Sequence, residues 1–172
     1  MPADVDESVR PGETPEAHVE RLSLAKAQAI ADRNDIAGRW FIGSDTVVVR
    51  DQVILGKPVD KADAAAMLRS LAGRSHRVVS GYAVVDRQKN ISEATSVVTR
   101  VTFRELTDAE IAGYIATGEP DDKAGGYGIQ GIGACLVSSI DGSYTNVVGL
   151  PLCEVVETLE RMGAATVFDQ KS

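Results

Sequence analysis

Residues 118–133 read GEPDDKAGGYGIQGIG and constrain this chain more than any other stretch. The segment sets Gly125, Gly126, Gly128, Gly131 and Gly133 within nine residues, directly after Asp121, Asp122 and Lys123. Glycine loses more backbone freedom on folding than any other residue. Ordering five of them so densely requires positive φ angles or a backbone that passes very close to something. With a lysine at its edge, the segment is expected to bring its backbone up to a bound anion.

The standard phosphate fingerprints do not describe it. The sequence contains no G-x-x-x-x-G-K-[ST], and Gly126-x-Gly128-x-x-Gly131 has no strand before it, which excludes a dinucleotide fold. No Ser-His-Asp grammar appears, and two histidines, His18 and His76, exclude a histidine-rich metal site. His18 is expected as an exposed helix residue. His76, in Gly73-Arg74-Ser75-His76, is expected to order a turn, with ligand contact as the second reading. Tyr127 and Tyr144 could stack on a base or pack, and packing is the commoner fate of tyrosine.

The 172 residues suffice for one well-buried core, and the chain reads as a single domain. A net charge of -7 argues against nucleic-acid and anionic-membrane partners. A small polyanion can still bind at a local basic site or through a divalent metal. Cys135 and Cys153 have no metal-type spacing and are expected to be buried thiols rather than a bridge. No apolar run is long enough to span a bilayer, and the polar, acidic start carries no signal-peptide pattern. A soluble, cytoplasmic protein is expected.

Along the chain, Thr14 reads as an N-cap with Pro15 in the first helical position, opening a helix over residues 15–33. Residues 40–49 are β-rich, Arg50-Asp51 reads as a turn into 52–55, and Gly56-Lys57-Pro58 breaks that strand. Asp60 caps a helix closed by Gly73. Strand-like runs follow at 76–85 and 94–103. Thr107-Asp108-Ala109-Glu110 is a capping box. Residues 134–140 read as a strand, Asp141-Gly142 as a turn, and Pro151 opens the last helix. The interleaving predicts an α/β or α+β fold.

Four charged clusters fall at element ends or in loops, where functional groups concentrate. They are Asp4, Asp6 and Glu7; Asp45 within Gly43-Ser44-Asp45-Thr46-Val47; Lys57; and Asp121-Asp122-Lys123. Asp45 sits in a run that otherwise reads as buried strand, so it must have a partner, either a structural lysine or a ligand. Carboxylates with lysines and no nucleophilic dyad suit an oxygen-ligated Mg²⁺ or Mn²⁺ and a phosphate chain.

Several of these pieces together resemble the Maf family of nucleoside triphosphate pyrophosphatases. The matching segments are Asp4-Val5-Asp6-Glu7, Leu24-Ala25-Lys26-Ala27, Ser44-Asp45-Thr46-Val47-Val48, Gly56-Lys57-Pro58 and Leu71-Ala72-Gly73-Arg74-Ser75-His76. They continue through Gly118-Glu119-Pro120-Asp121-Asp122-Lys123-Ala124-Gly125, Tyr127-Gly128-Ile129-Gln130-Gly131 and the run from Gly142 to Pro151, in family order. One departure stands out: family members begin with a strand and a Ser-x-Ser-Pro-Arg-Arg loop, whereas this sequence opens at Met1-Pro2-Ala3-Asp4.

The resemblance implies a fold like that of the inosine triphosphatases, a long curved mixed sheet with flanking helices and a cleft between two lobes. It implies hydrolysis of a nucleoside triphosphate to the monophosphate and pyrophosphate with a divalent metal, Mg²⁺ or Mn²⁺ with Co²⁺ as a third option, and a homodimer. Asp45 matches the family's proton acceptor, and Glu7, Lys26 and Lys57 match its other active-site positions, Glu7 and Asp45 as the metal ligands. Arg74, His76, Asp122 and Lys123 fall at substrate-contacting positions. Thr46 and Gln130 look like the branch acting on dTTP and UTP, which points to house-cleaning of pyrimidine triphosphates and their modified analogues. The rival from another class is a non-catalytic nucleotide-binding regulator linked to septum formation. A third reading is a phosphohydrolase that removes only the terminal phosphate.

Overall fold

The computed structural model describes residues 5–168. Five helices and five strands follow in the order α1 (Pro15–Ala31), β1 (Trp40–Arg50), β2 (Val53–Leu55), α2 (Lys61–Leu71), β3 (Ser75–Asp86), β4 (Ile91–Phe103), α3 (Asp108–Ala116), β5 (Val137–Asp141), α4 (Tyr144–Val148) and α5 (Leu152–Arg161). The strands form one sheet in the order β2-β1-β3-β4-β5. Both edge pairings are antiparallel. Arg87 N donates to Arg39 O and Phe103 N to Arg74 O, so the inner strands also run in opposite directions. The expected α/β interleaving is present, with an antiparallel sheet among the described residues where a mixed one was expected.

The helix starts follow from their caps. The Thr14 side chain accepts from Ala17 N, and Asp60 accepts from Asp63 N. Thr107 and Glu110 complete a reciprocal capping box. The β1–β2 turn is Asp51-Gln52, one residue later than expected, with both φ angles positive as a tight two-residue hairpin requires. Residues 132–136 coil into a three-ten turn, so β5 starts later than expected. Ser143 Oγ accepts from Asn146 N and starts the unexpected short helix α4.

The residues divide into two compact units. The first comprises Met1–Asp45, Ser80–Val97 and Gly149–Ser172; the second comprises Thr46–Val79 and Val98–Val148. In the first unit β3 is buried on both faces. Ala83 and Val85 pack with Ala27 and Ala31 of α1, while Tyr82 and Val84 pack with Val155 and Met162 of α5. That explains why this strand reads as a nearly continuous apolar run rather than an alternating one. The α1 end has no basic residue in its own last turn. Arg87 supplies that charge, its guanidinium donating to the carbonyls of Ala31, Arg33 and Ile36. The second unit has its own core, in which Val48, Leu68, Leu71, Val78, Val101, Phe103 and Tyr114 pack together.

Two expectations fail here for local reasons. His18 is buried, not exposed, because it shares the core-facing stripe of Leu22 one turn later and finds Glu13 Oε2 at 3.0 Å. Cys135 and Cys153 are exposed, not buried. Cys153 lies across α5 from Val155, which is buried.

Helix α1 meets the sheet on bare backbone at two glycines. A Cβ at Gly43 would lie 2.2 Å from Ser23 O and 2.7 Å from Ala27 N, and one at Gly81 would lie 2.4 Å from Val19 O. These obstacles are helix backbone, which cannot rotate away. Gly43→Ala should therefore cost at least about 1–3 kcal/mol through overpacking, read as a lowered urea midpoint, whereas Gly12→Ala, with nothing within 4 Å of its Cβ, should not overpack anything.

Candidate active site

Alternate residues of a strand share a face, so Asp45 lies on the same face of β1 as Gly43. That is the face on which α1 rests through Ala27. Lys26, the neighbour of Ala27, donates from Nζ to Asp45 Oδ1 at 2.7 Å and lies 2.7 Å from Glu7 Oε1. One ammonium thus holds two carboxylates. The Asp45 side chain is 12 % exposed, Lys26 22 % and Glu7 55 %. Burial alone would lower the Lys26 pKa, but hydrogen bonds and charge from Asp45 and Glu7 outweigh it and raise the pKa above the ordinary lysine value. Lys26 remains a cation through the neutral range. Asp4, expected in the same acidic cluster, lies outside the described residues.

The described residues contain no group of three or more His, Cys, Asp or Glu side chains placed to hold a metal. The hard oxygen donors gathered here are the two carboxylates on Lys26.

In the second unit the glycine-rich segment is tied to the Gly56-Lys57-Pro58 turn, because Gly125 N donates to Gly56 O at 2.9 Å. Lys123 Nζ donates to Asp122 Oδ1 at 2.5 Å. The Lys123 bond chiefly holds the Asp122 carboxyl below its usual range, and Lys57 adds to the effect. Lys123 and Asp122 therefore form one ion pair, with the charge of Lys57 felt at Asp122. Gln130 is exposed, and Thr46 is partly buried on β1.

A carboxylate of the protein itself sits at two of the glycines. Glu119 Oε2 accepts from Ile132 N at 2.8 Å, and Oε1 accepts from Gly133 N at 2.9 Å and from the Tyr114 hydroxyl at 2.9 Å. Tyr114 in turn accepts from Gly128 N. A Cβ at Gly131 would lie 2.3 Å from Glu119 Oε2, and one at Gly133 would lie 2.5 Å from the Tyr114 hydroxyl. Gly131 and Gly133 have no room for a side chain because this carboxylate and phenol occupy the space beside them, whereas Gly125 lies against Val48. Burial works against ionisation of Glu119, yet the two backbone donors and Tyr114 keep its pKa below the usual value.

Arg74 and His76 each have partners within the protein. Arg74 pairs with Asp51 at the β1–β2 turn. His76 is 3 % exposed, packs edge-on against Phe103 and Tyr127, and is hydrogen bonded through Nε2 to the Tyr127 hydroxyl at 2.8 Å. The packing fate of Tyr127 is thereby settled. Two groups went unrecognised in the sequence. Glu119 had a usable signal, an acid ten to fifteen residues ahead of glycines that need a close neighbour. The set of Glu13, His18 and Arg21 had none, since its members look like ordinary helix-surface residues.

A model of the family described as Maf-like protein matches residues 1–162. A protein of Syntrophotalea carbinolica named dTTP/UTP pyrophosphatase is 64% identical over 168 residues, covering 98% of this chain and 76% of the relative. One of the same name from Geobacter sulfurreducens is 56% identical over 162 residues, covering 94% and 84%. Another from Nitratidesulfovibrio vulgaris is 51% identical over 164 residues, covering 95% and 77%.

Two measurements check this geometry. Glu119→Gln removes a charged acceptor of three hydrogen bonds, so it should cost about 1–3 kcal/mol and speed hydrogen exchange at the Ile132 and Gly133 amides. For His76, burial lowers the pKa from 6.5 to about 4. Between those values the unfolded chain binds the extra proton. Stability is therefore complete above pH 6.5 and falls as pH drops towards 4, by on the order of 2–3 kcal/mol from this residue. His76→Phe should flatten that slope in urea unfolding measured across the range.

Proposed function

We infer that this chain, which belongs to the Maf family, hydrolyses dTTP and UTP to the monophosphate and pyrophosphate, cleansing the nucleotide pool. The structural observation that carries the reading is Lys26 held between Asp45 and Glu7. A hydrolase of a charged phosphate chain needs a proton acceptor beside the attacking water and cations beside the phosphates. This triad offers both kinds of group within one hydrogen-bonded set.

In this proposal Asp45 takes the proton of the water that attacks the α-phosphorus. Lys26 orients both carboxylates and faces charge that grows in the transition state. Lys57 and Lys123 bind phosphate oxygens as point charges. Glu7 and Asp45 fit a divalent cation, Mg²⁺, Mn²⁺ or Co²⁺, because both are hard oxygen donors, and such an ion commonly takes one or two carboxylates and fills its shell with water and phosphate. When bound, it would neutralise phosphate charge and acidify water. Thr46 and Gln130 read the pyrimidine, including modified analogues, with Asp122 at the edge of the substrate. A cytoplasmic location and a homodimer belong to the same proposal; no described helix is long and apolar enough to cross a membrane.

Asp45→Asn keeps the shape and removes the acceptor. Pyrophosphate release from dTTP and UTP should fall about 10²–10⁴-fold with an unchanged circular dichroism spectrum. Wild-type turnover by the variant would remove Asp45 from this role. Orthophosphate with the diphosphate as products would overturn the reaction, and triphosphate binding without any product would favour a regulator instead.

A further inference from the structure

We propose that Arg21 is a positioning residue: it sets Glu7 against Lys26, and Glu13 and His18 lock it in that pose. This rests on the reading of Glu7 as part of the catalytic set. Glu7 lies in a stretch with neither helix nor strand, and more than half of its side chain is exposed. A carboxylate there would ordinarily sample many positions. Arg21 removes that freedom from α1. Its Nη2 donates to Ser8 O at 3.0 Å and its Nη1 to Asp6 O at 3.5 Å, so one guanidinium holds the carbonyls of both neighbours of Glu7. Asp6 Oδ1 also accepts from Ser8 N at 3.0 Å, closing a short side-chain turn across Glu7.

The guanidinium is itself fixed. Its Nε donates to Glu13 Oε1 at 2.6 Å and its Nη2 to Glu13 Oε2 at 2.9 Å, a bidentate pair. The Glu13 side chain is 8 % exposed, and its Oε2 also meets buried His18 Nδ1 at 3.0 Å and Arg10 N at 3.0 Å. The outcome is a backbone held on both sides of Glu7, from which the side chain reaches Lys26. A lysine at position 21 would keep the charge but lose the planar fork that reaches Glu13 and two carbonyls together.

A double-mutant cycle tests the assignment. Arg21→Lys should lower kcat/KM for dTTP about 10–100-fold in the wild-type background, the range typical of residues that orient a site group. In the Glu7→Gln background the same change should have almost no further effect, because the group it positions is already disabled. The melting temperature should move equally in both backgrounds. An equal loss of kcat/KM in both would show that Arg21 only tethers the segment, which overturns the inference. Glu7→Gln at wild-type kcat/KM would overturn the reading of Glu7 itself and this inference with it. If Arg21→Lys does not fold, Glu13→Gln frees the same guanidinium and carries the same two expectations.

Discussion

The contact between α1 and the backbone of Gly43 and Gly81 is the constraint on which the candidate site depends. Helix backbone lies where two side chains would otherwise stand. Because the fit is backbone on backbone, neither partner can adjust by a rotamer change. That fixes the azimuth of α1 against β1. Once it is fixed, Lys26 has one place to go, over Asp45, two residues along the same face as Gly43. The ammonium then supplies the partner that a carboxylate in an apolar strand must have. Packing and chemistry are thus one feature: the glycines that look dispensable on β1 and β3 decide where the charges meet.

The glycine-rich segment follows a similar logic with a different filler. Its density of glycine signals close approach, and at Gly131 and Gly133 the approaching group includes an anion. It is Glu119 of the same segment, reached by the Ile132 and Gly133 amides and supported by Tyr114. Local composition revealed that donors would converge on negative charge. It could not reveal that the acid lay inside the loop, because a carboxylate preceding glycines and an external phosphate impose the same demand on the backbone. The exposed Gln130 rides on a frame anchored on one side by Tyr127 with His76 and on the other by Glu119.

What could be read in advance divides along the same line. Helix starts were legible because Thr14, Asp60 and the Thr107–Glu110 box act over three residues and need nothing else. Asp45 was legible as a polar residue out of place, and the resemblance named Glu7 and Lys26 beside it. Their actual joining was not legible from spacing, since it depends on how α1 docks. His18 was misjudged because its burial is set jointly by Leu22 on the core stripe and by Glu13 across the N-cap. Cys153 was misjudged because cysteine's usual burial yields to its helical face. Arg21 carried no pattern at all. Its meaning lies in backbone carbonyls thirteen and fifteen residues earlier in the chain, and main-chain acceptors leave no trace in composition.

The charge states then narrow the chemistry. Lys26 has its pKa raised by the two carboxylates, so it cannot serve as a base near neutrality. His76 has the opposite shift and would be unprotonated, yet its Nε2 is taken by Tyr127 within the core. Tyr114 and Tyr127 are pushed upward by burial and stay protonated. Glu119 is occupied by three donors. Among these groups the proposed reaction leaves the carboxylates on Lys26 as candidate proton acceptors, and Asp45 is the one carried on a strand. A proton acceptor has to sit within hydrogen-bond reach of the water it activates, with little freedom to drift. In the proposed reaction Asp45 would meet that demand through β1 itself, whereas Glu7 would meet it only while the Arg21–Glu13 pair is intact. The two carboxylates can therefore be chemically alike and still unequal, one built into the sheet and the other clamped into place.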